Sequence, residues 1–133
     1  MRWSAIQGDM IHVKQEKTGK ELMIPIHRDL RIVLDSIPKR AVTILSSSEG
    51  SPWRTGFQMS WNKHKPPMAK RLGLVFHGLR KSAVVMLLEA GCSDAEVGAV
   101  TGQSRSMVEH YAKRVNQGKL AAAAVLKWEA SKL

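Results

Sequence analysis

The sequence predicts a mainly helical α+β domain with a small antiparallel β-sheet near its N-terminus. Three observations support this fold class. Apolar and polar residues alternate within the first 26 residues, on both sides of a polar turn that contains Gly19. From Leu79 onward, apolar residues recur instead every three or four positions, which is the period of an amphipathic helix. The length of 133 residues suits one domain with one core.

The N-terminal sheet is predicted to contain a β-hairpin. Apolar residues occupy alternate positions of its two strands, namely Ile11, Val13, Leu22, Ile24 and Ile26. The polar segment 16–20 supplies the turn between the strands. Pro25 has no N–H to donate and therefore indicates a sheet edge or a strand end. Trp3 and Ile6 are assigned to a preceding strand.

Between residues 27 and 72 the sequence predicts helices, one loop and one candidate strand. Residues 27–37 carry apolar side chains at helical spacing and stop before a proline. The short apolar run 41–45 is the candidate strand, and residues 46–52 form a loop by composition. Residues 55–72 are predicted as two helices, because the Pro66-Pro67 pair interrupts the helical pattern.

The next two helices follow from their apolar pattern and their end signals. Residues 79–90 carry a wide apolar stripe, which indicates a largely buried helix, and Gly91 ends it. Ser93 and Glu96 form a capping box, which begins a short helix that ends at Gly102. The residues that this short helix is expected to bury are Val97 and Val100.

Two further helices complete the predicted chain. Ser104 caps the first of them, which carries Tyr111. A separate final helix is predicted from about residue 119 to residue 132. Its apolar stripe consists of Leu120, Ala124, Val125 and Trp128.

The charge balance favours a polyanionic partner. Lys and Arg number 21 against 11 acidic residues, which gives a formal net charge of +10. Cationic side chains that neutralise phosphates release condensed counterions, so such a chain binds nucleic acid readily. A basic protein without such a partner is the alternative interpretation, because charge alone is weak evidence.

The remaining composition favours a cytoplasmic protein without a membrane partner. The one cysteine, Cys92, cannot form an internal disulfide and is interpreted as a small packing residue. The longest apolar run, 83–88, is too short to span a bilayer. The N-terminus lacks the layout of a signal peptide.

Two short segments about thirty residues apart carry groups suited to phosphodiester chemistry. The first contains His77 and Arg80, and the second is Thr101-Gly102-Gln103-Ser104 followed by Tyr111. An arginine can donate two parallel N–H bonds to a phosphate and stabilise its transition-state charge. A phenol titrates near about pH 10, so it needs a base and a positive field to act as a nucleophile. His77, Arg80 or Tyr111, taken alone, would more often have a structural role. Their occurrence together indicates a catalytic site.

These segments resemble the catalytic domain of the tyrosine recombinases, the phage integrase family. The family pattern is an H-x-L-R box, a G-[HW]-S box and a tyrosine shortly beyond it. The matching residues here are Phe76-His77-Gly78-Leu79-Arg80, Val100-Thr101-Gly102-Gln103-Ser104 and Glu109-His110-Tyr111-Ala112. The turn Lys17-Thr18-Gly19-Lys20 is similar to the family's β-hairpin that carries a catalytic lysine. The resemblance covers nearly the whole chain.

The resemblance implies cleavage and rejoining of double-stranded DNA through a covalent 3′-phosphotyrosyl intermediate, without a metal or other cofactor. In this reading Tyr111 is the nucleophile, Arg80 stabilises the phosphate charge and His77 transfers a proton. Lys17 supplies the proton for the leaving 5′-oxygen.

Two of the implied assignments leave alternatives open. Lys14 and Lys20 compete with Lys17 because all three lie on the same hairpin. Gln103 stands at the His or Trp position of the family and is expected to hydrogen-bond a phosphate oxygen. Its alternative role is to cap the following helix.

Three features depart from the family pattern. Gly78 stands where the family usually has an aspartate, and Gln103 replaces the usual histidine or tryptophan. The family's first catalytic arginine lies upstream of the strand to which Arg2 is assigned. Residues 1–133 are therefore expected to be a C-terminal part of the catalytic domain, without the core-binding domain. Strand cleavage by this chain alone is expected to be very slow or absent, since one charge-assisted donor contributes on the order of 10²–10³ in rate.

Two other functions compete with an enzymatic one. The chain can be a non-enzymatic DNA-binding module derived from an integrase fold, which forms no covalent adduct. It can also be a self-association unit, in which the C-terminal helix docks onto a neighbouring protomer through the stripe from Leu120 to Trp128. Packing of that stripe within its own chain is the alternative.

Overall fold

The N-terminal sheet contains three antiparallel strands in the order β1, β2, β3, in a computed structural model that describes residues 1–131. The strands are β1 (Ile6–Gln7), β2 (Met10–Lys14) and β3 (Glu21–Pro25). Ile11 pairs with Ile24 and Val13 with Leu22, as the alternating apolar pattern predicts. Pro25 is the last residue of β3, which is an edge strand, so its missing N–H costs no ladder bond.

Six α-helices follow the sheet within the described residues. They are α1 (Arg28–Ser36), α2 (Phe57–His64), α3 (Pro67–Arg71), α4 (Gly78–Glu89), α5 (Asp94–Thr101) and α6 (Arg105–Ser131). This content confirms the predicted mainly helical α+β class. The chain divides into two compact units by its internal contacts, Met1–Phe76 and the residues from His77 onward.

In the first unit, α1 is fastened to the turn between β1 and β2. The Arg31 guanidinium donates to the backbone oxygen of Gly8 and to Asp9 Oδ1, the latter at 3.3 Å. His27 begins the helix as its N-cap, where Nδ1 accepts from the Asp29 N–H at 3.2 Å. The helix that the apolar spacing of residues 27–37 predicts is therefore present as Arg28–Ser36, with His27 and Ile37 as its flanking residues.

The two remaining helices of the first unit are separated by the predicted proline break. Lys65 ends α2, and Pro67 is the first residue of α3, a position that tolerates the missing N–H. Aromatic rings pack edge to face beside these helices, with centroid distances of 5.8 Å for Trp53–Phe57, 4.9 Å for Phe57–Phe76 and 5.3 Å for Trp61–Phe76.

Two N-terminal assignments are wrong. Trp3 lies in a short 3₁₀ turn rather than in a strand, while Ile6 does lie in β1. Residues 41–45 form no strand, because Thr43 makes only an isolated bridge with Arg2.

The second unit packs α4, α5 and α6 around one small hydrophobic core. Its buried residues are Val84, Leu88, Val97, Val108 and Ala112. Each helix contributes at least one residue to this cluster. Leu87, Cys92, Tyr111 and Val115 pack against it as partly buried neighbours, which agrees with the packing role predicted for Cys92.

The burial of this unit is smaller than the sequence predicts. In α4 only Val84 and Leu88 are buried, whereas Leu79 and Met86 are 53% and 68% exposed. In α5 Val97 is buried and Val100 is exposed. The other two helices of the unit cover a single face of α4, so the outer part of its wide apolar stripe has no cover.

The prediction of a separate final helix is also wrong. Residues 105–131 form the single helix α6. The polar segment Asn116-Gln117-Gly118 contains no proline, and a glycine inside a helix costs only about 1 kcal/mol relative to alanine. The helix therefore continues through it. Position 132, the predicted end, lies outside the described residues.

The capping box of α5 forms as predicted. Glu96 Oε2 accepts from the Ser93 N–H at 2.6 Å and from its hydroxyl at 2.9 Å, and Ser93 Oγ accepts from the Glu96 N–H at 3.3 Å. The backbone N–H of Ser93, followed by its hydroxyl, holds the pKa of the Glu96 carboxyl below its ordinary value.

We expect Glu96→Ala to lower the melting temperature of the chain, and this loss to depend on pH. Because the folded-state pKa is lowered, the stabilisation is fully present above the ordinary pKa of 4.5 and is lost as pH falls through the folded-state value. Thermal melts followed by circular dichroism from neutral pH to about pH 3 measure this difference. Glu129→Ala, near the end of α6, is the control. A melting difference that stays constant on acidification contradicts the account.

Candidate active site

His77 and Arg80 lie at the start of α4. His77 is the residue before the helix, and its side chain is exposed and makes no hydrogen bond to another residue of the described range 1–131. Its backbone oxygen accepts from the Arg80 N–H at 3.3 Å. The imidazole is therefore available for proton transfer to a bound molecule.

Arg80 connects the two motif segments. Its Nη2 donates to the backbone oxygen of Thr101 at 3.0 Å. Thr101 is the last residue of α5, where carbonyl groups lack a partner within the helix. A guanidinium has five N–H donors in a fixed plane, so the remaining donors can bind an anion while this bond holds the plane in place.

The segment after Thr101 is a fixed turn. Gly102 adopts φ 69°, a left-handed conformation that glycine adopts without strain and that ends α5. The Thr101 hydroxyl donates to the Val97 oxygen at 2.8 Å and accepts from the Gln103 N–H at 3.3 Å. These two hydrogen bonds fix the backbone position from which the Gln103 side chain extends.

The side-chain amide oxygen of Gln103, Oε1, is buried without a hydrogen-bond partner among the described residues. An unpaired buried acceptor costs about 1–3 kcal/mol. Its side chain does not cap α6; the hydroxyl of Ser104 instead accepts from the Met107 N–H at 3.4 Å. Any hydrogen bond from Gln103 to a phosphate oxygen must come from Nε2, because a phosphate accepts and does not donate.

Tyr111 lies on α6, two turns from its start. Its ring packs against the core of the second unit and stands edge to face with His110, with ring centroids 5.6 Å apart. The phenolic oxygen makes no hydrogen bond within residues 1–131. Packing thus holds the ring while the hydroxyl stays available for chemistry. His77, Arg80, Gln103 and Tyr111 all belong to this one unit.

Lys17 belongs to the other unit, in the turn between β2 and β3. The turn closes through a bond from the Gln15 N–H to the Lys20 oxygen at 2.9 Å, and Gly19 adopts φ 68°. Lys14 forms an ion pair with Glu21 at 3.6 Å. Lys17 and Lys20 are exposed and form no ion pair with another described residue, so both remain candidates for the lysine role.

Sequence reasoning missed two contacts that shape this site. One is the hydrogen bond from the Arg80 side chain to the Thr101 backbone oxygen, which no local sequence pattern predicts. The other is Lys119, whose Nζ donates to the oxygens of Leu88 at 2.9 Å and Glu89 at 2.6 Å. Lys119 thereby satisfies the last carbonyls of α4 and fastens α6 to it. The carbonyl groups at the end of any helix need a hydrogen-bond donor. The sequence does not show that this donor is a lysine thirty residues further along the chain.

Within residues 1–131, no group of three or more His, Cys, Asp or Glu side chains is placed to hold a metal ion. No described helix is both long enough and apolar enough to cross a membrane.

Two lambda integrase structures are among the solved structures that match the chain. The chain superposes on a lambda integrase dimer bound to a COC′ core site with a TM-score of 0.64 and 26% identity, covering 84% of this chain and 44% of that chain. It superposes on a lambda integrase tetramer bound to a Holliday junction with a TM-score of 0.64 and 25% identity, covering 84% of this chain and 36% of that chain.

No protein-family model matches the sequence, and no curated protein matches it. The chain spans less than half of the length of each integrase on which it superposes. Both superpositions cover 84% of this chain. The chain therefore has the fold of a tyrosine recombinase catalytic domain.

Proposed function

We propose that this chain carries the tyrosine-bearing part of a site that breaks and rejoins DNA. One observation carries the proposal: the bond from Arg80 to the Thr101 oxygen joins the two motif segments within the unit that also holds Tyr111. The lambda integrases of similar fold are bound to a core site and to a Holliday junction, which supports double-stranded DNA as the substrate.

In the proposed reaction the Tyr111 oxygen attacks a backbone phosphorus. An oxygen–phosphorus bond forms to Tyr111 as the bond from phosphorus to the 5′-oxygen breaks, which leaves a 3′-phosphotyrosyl linkage. The phenolic proton passes to His77, and a lysine of the β2–β3 turn, Lys17 or Lys20, supplies the proton that the leaving 5′-oxygen takes. One phosphate ester replaces another, so rejoining needs no external energy source.

Arg80 and Gln103 are proposed to bind the phosphate. The Arg80 donors that Thr101 does not occupy reach the non-bridging oxygens and stabilise the charge of the transition state. Gln103 donates from Nε2, since its Oε1 lies buried. Gln103 follows the end of α5, and Arg80, from α4, is bonded to that same end, so the fixed turn at Gly102 limits the cost of arranging the two side chains.

A nicked suicide substrate tests the proposal directly. Loss of a short 5′-hydroxyl fragment after cleavage prevents rejoining and traps the covalent complex. We expect the chain to accumulate, over long incubation, a protein–DNA adduct that survives denaturation. DNA binding without any adduct instead supports the non-enzymatic DNA-binding module, and absence of both contradicts the proposal.

Self-association through the C-terminal part of α6 is a second proposed function. Leu120, Val125 and Trp128, which belong to the predicted apolar stripe, are 48–69% exposed, and no side chain beyond Lys119 in the described part of α6 is buried. A continuous apolar surface of this kind on a helix usually has a partner. The integrases of similar fold form a dimer and a tetramer, which supports a second copy of this chain as that partner.

We expect light scattering to show a mass that rises above that of the monomer with concentration. Leu120→Gln combined with Val125→Gln, or deletion of residues 117–133, restores the monomer because it removes the apolar contact. Ile32→Gln, which changes an exposed apolar residue of α1, leaves the mass unchanged. A parent chain that is monomeric throughout excludes this second function.

A further inference from the structure

The positive charge of the chain is concentrated in its middle. Residues 50–88 contain seven of the 21 Lys and Arg residues and none of the 11 Asp and Glu residues. This stretch therefore contributes +7 of the formal net charge of +10. Its cationic residues are Arg54, Lys63, Lys65, Lys70, Arg71, Arg80 and Lys81. Only Arg80 has a place in the proposed chemistry.

Three of these cations lie close together in the chain at the ends of α2 and α3. Lys63 is in the last turn of α2, and Lys70 and Arg71 are in the last turn of α3. We call these three residues the α2–α3 basic segment. Its side chains are exposed, and the ion pairs among residues 1–131 all lie outside the stretch 50–88.

The neighbouring cation, Lys65, has a structural task instead. Its Nζ donates to the Leu74 oxygen at 2.7 Å, which ties the end of α2 to the chain beyond α3. Lys63 and Lys70 make no side-chain hydrogen bond to a described residue. Arg71 donates from Nη2 to Met68 Sδ at 3.1 Å and keeps its other N–H groups available. The positive charges of the basic segment are therefore not neutralised by an ion pair within the described residues.

Helix dipoles do not explain this pattern. Basic residues in a last turn do favour a helix, but acidic residues in a first turn favour it equally. The first turns of α2, α3 and α4 contain no acidic residue. Outside the stretch, α1 begins with Asp29, and α5 begins with Asp94 and Glu96. The first turn of α6, outside the stretch, also lacks an acidic residue. The stretch is instead set apart by containing no acidic residue at any position, so its positive charge has no carboxylate partner within it.

The backbone that carries the basic segment is well ordered. The Lys65 N–H donates to the Trp61 oxygen at 2.8 Å and the Lys70 N–H to the Pro66 oxygen at 3.0 Å. The Pro66-Pro67 turn between the helices has restricted dihedral angles. Little backbone order must then be acquired when a partner binds, which favours affinity.

We propose that the α2–α3 basic segment binds the phosphate backbone of double-stranded DNA without reading its sequence. This inference rests on the proposed function, because it takes the same DNA as the partner. It assigns to Lys63, Lys70 and Arg71 a contribution to affinity that is separate from the chemistry at Tyr111. Ammonium and guanidinium groups carry only hydrogen-bond donors, which suit phosphate oxygens, and phosphate and sugar receive half or more of the hydrogen bonds between proteins and DNA.

The salt dependence of binding measures this contribution. The full chain is titrated onto labelled duplexes of two unrelated sequences between about 50 and 200 mM salt. We expect Lys63→Gln with Lys70→Gln to reduce the slope of log K against log salt by about 1.8, since each phosphate contact contributes about 0.9. The reduction is the same for both sequences. Arg71→Gln alone reduces the slope by about half that amount.

A charge-matched pair provides the control. Arg28 and Arg105 already face Asp29 and Glu109 at 3.5 Å, so Arg28→Gln with Arg105→Gln removes the same charge from partnered positions. We expect this pair to change the slope by less than about half as much. Lys63→Arg with Lys70→Arg keeps the charge and restores the slope of the parent, which shows that loss of fold is not the cause.

The outcomes separate the two proposals. An equal change of slope for both Gln pairs, or none for Lys63→Gln with Lys70→Gln, overturns the basic segment even if Tyr111 forms an adduct. A parent chain that binds neither duplex overturns it as well. The predicted slopes without any covalent adduct support the basic segment and overturn only the proposed catalysis.

Discussion

Tyr111→Phe is expected to abolish the covalent protein–DNA adduct. The chain contains one tyrosine, so this change removes the only phenol that can form a phosphotyrosyl bond. The ring of Tyr111 packs against the core through carbon atoms that phenylalanine retains, and its hydroxyl makes no hydrogen bond within residues 1–131. We therefore expect the melting temperature and the affinity for duplex DNA to stay close to those of the parent.

The suicide-substrate gel measures this effect, with the DNA alone as the baseline. Ser106→Ala is the matched control, because it removes an exposed hydroxyl from the same helix. That variant should form the adduct at the parental rate. Adduct formation by Tyr111→Phe at more than trace level shows that the nucleophile lies elsewhere.

Arg80→Lys is expected to slow adduct formation by on the order of 10²–10³, the range for loss of one preorganised donor to a transition-state anion. Lysine keeps the positive charge but lacks the two parallel, coplanar N–H donors of a guanidinium. It therefore cannot hold the Thr101 oxygen, which Arg80 binds at 3.0 Å, and also donate two parallel bonds to a phosphate. The affinity for DNA should change far less, since the charge remains.

Single-turnover rates on the suicide substrate measure this loss. Arg105→Lys is a suitable control, since the Arg105 side chain is 86% exposed and its one ion pair within residues 1–131 is with Glu109, at 3.5 Å. An Arg80→Lys rate within about twofold of the parent rate means that Arg80 serves the fold alone.

Local signals predict the parts of this fold that depend on neighbouring residues. The hairpin register follows from alternation around Gly19, and the capping box at Ser93 and Glu96 forms as its spacing requires. The proline pair separates α2 from α3 because proline acts on the residues beside it. In each case the cause and the structure lie within a few residues.

The failed predictions depend on what surrounds a segment. The wide apolar stripe of α4 predicts a buried helix. Met86 on that stripe is nevertheless exposed, because the second unit supplies no further layer to cover this side chain. The continuity of α6 through Gly118 depends on a balance of small terms, and Lys119 adds to it by binding the end of α4. Such long-range contacts leave no pattern in the local sequence.

The candidate site shows the same division. The residue types and spacing of His77, Arg80 and Tyr111 are visible in the sequence and predict phosphodiester chemistry. The bond that places Arg80 against Thr101, and the burial of the Gln103 oxygen, appear only in three dimensions. The second of these changes the expected role of Gln103, because only its amide nitrogen is left to meet a phosphate.

Mass spectrometry of the trapped adduct tests the central claim most directly. After digestion of the DNA and the protein, the account predicts a nucleotide joined to the peptide 106–113 through the Tyr111 oxygen, stable to alkali as a phosphotyrosine linkage is. A nucleotide attached to a serine or histidine, or a peptide without any nucleotide although DNA is bound, would contradict the assignment of Tyr111 as the nucleophile.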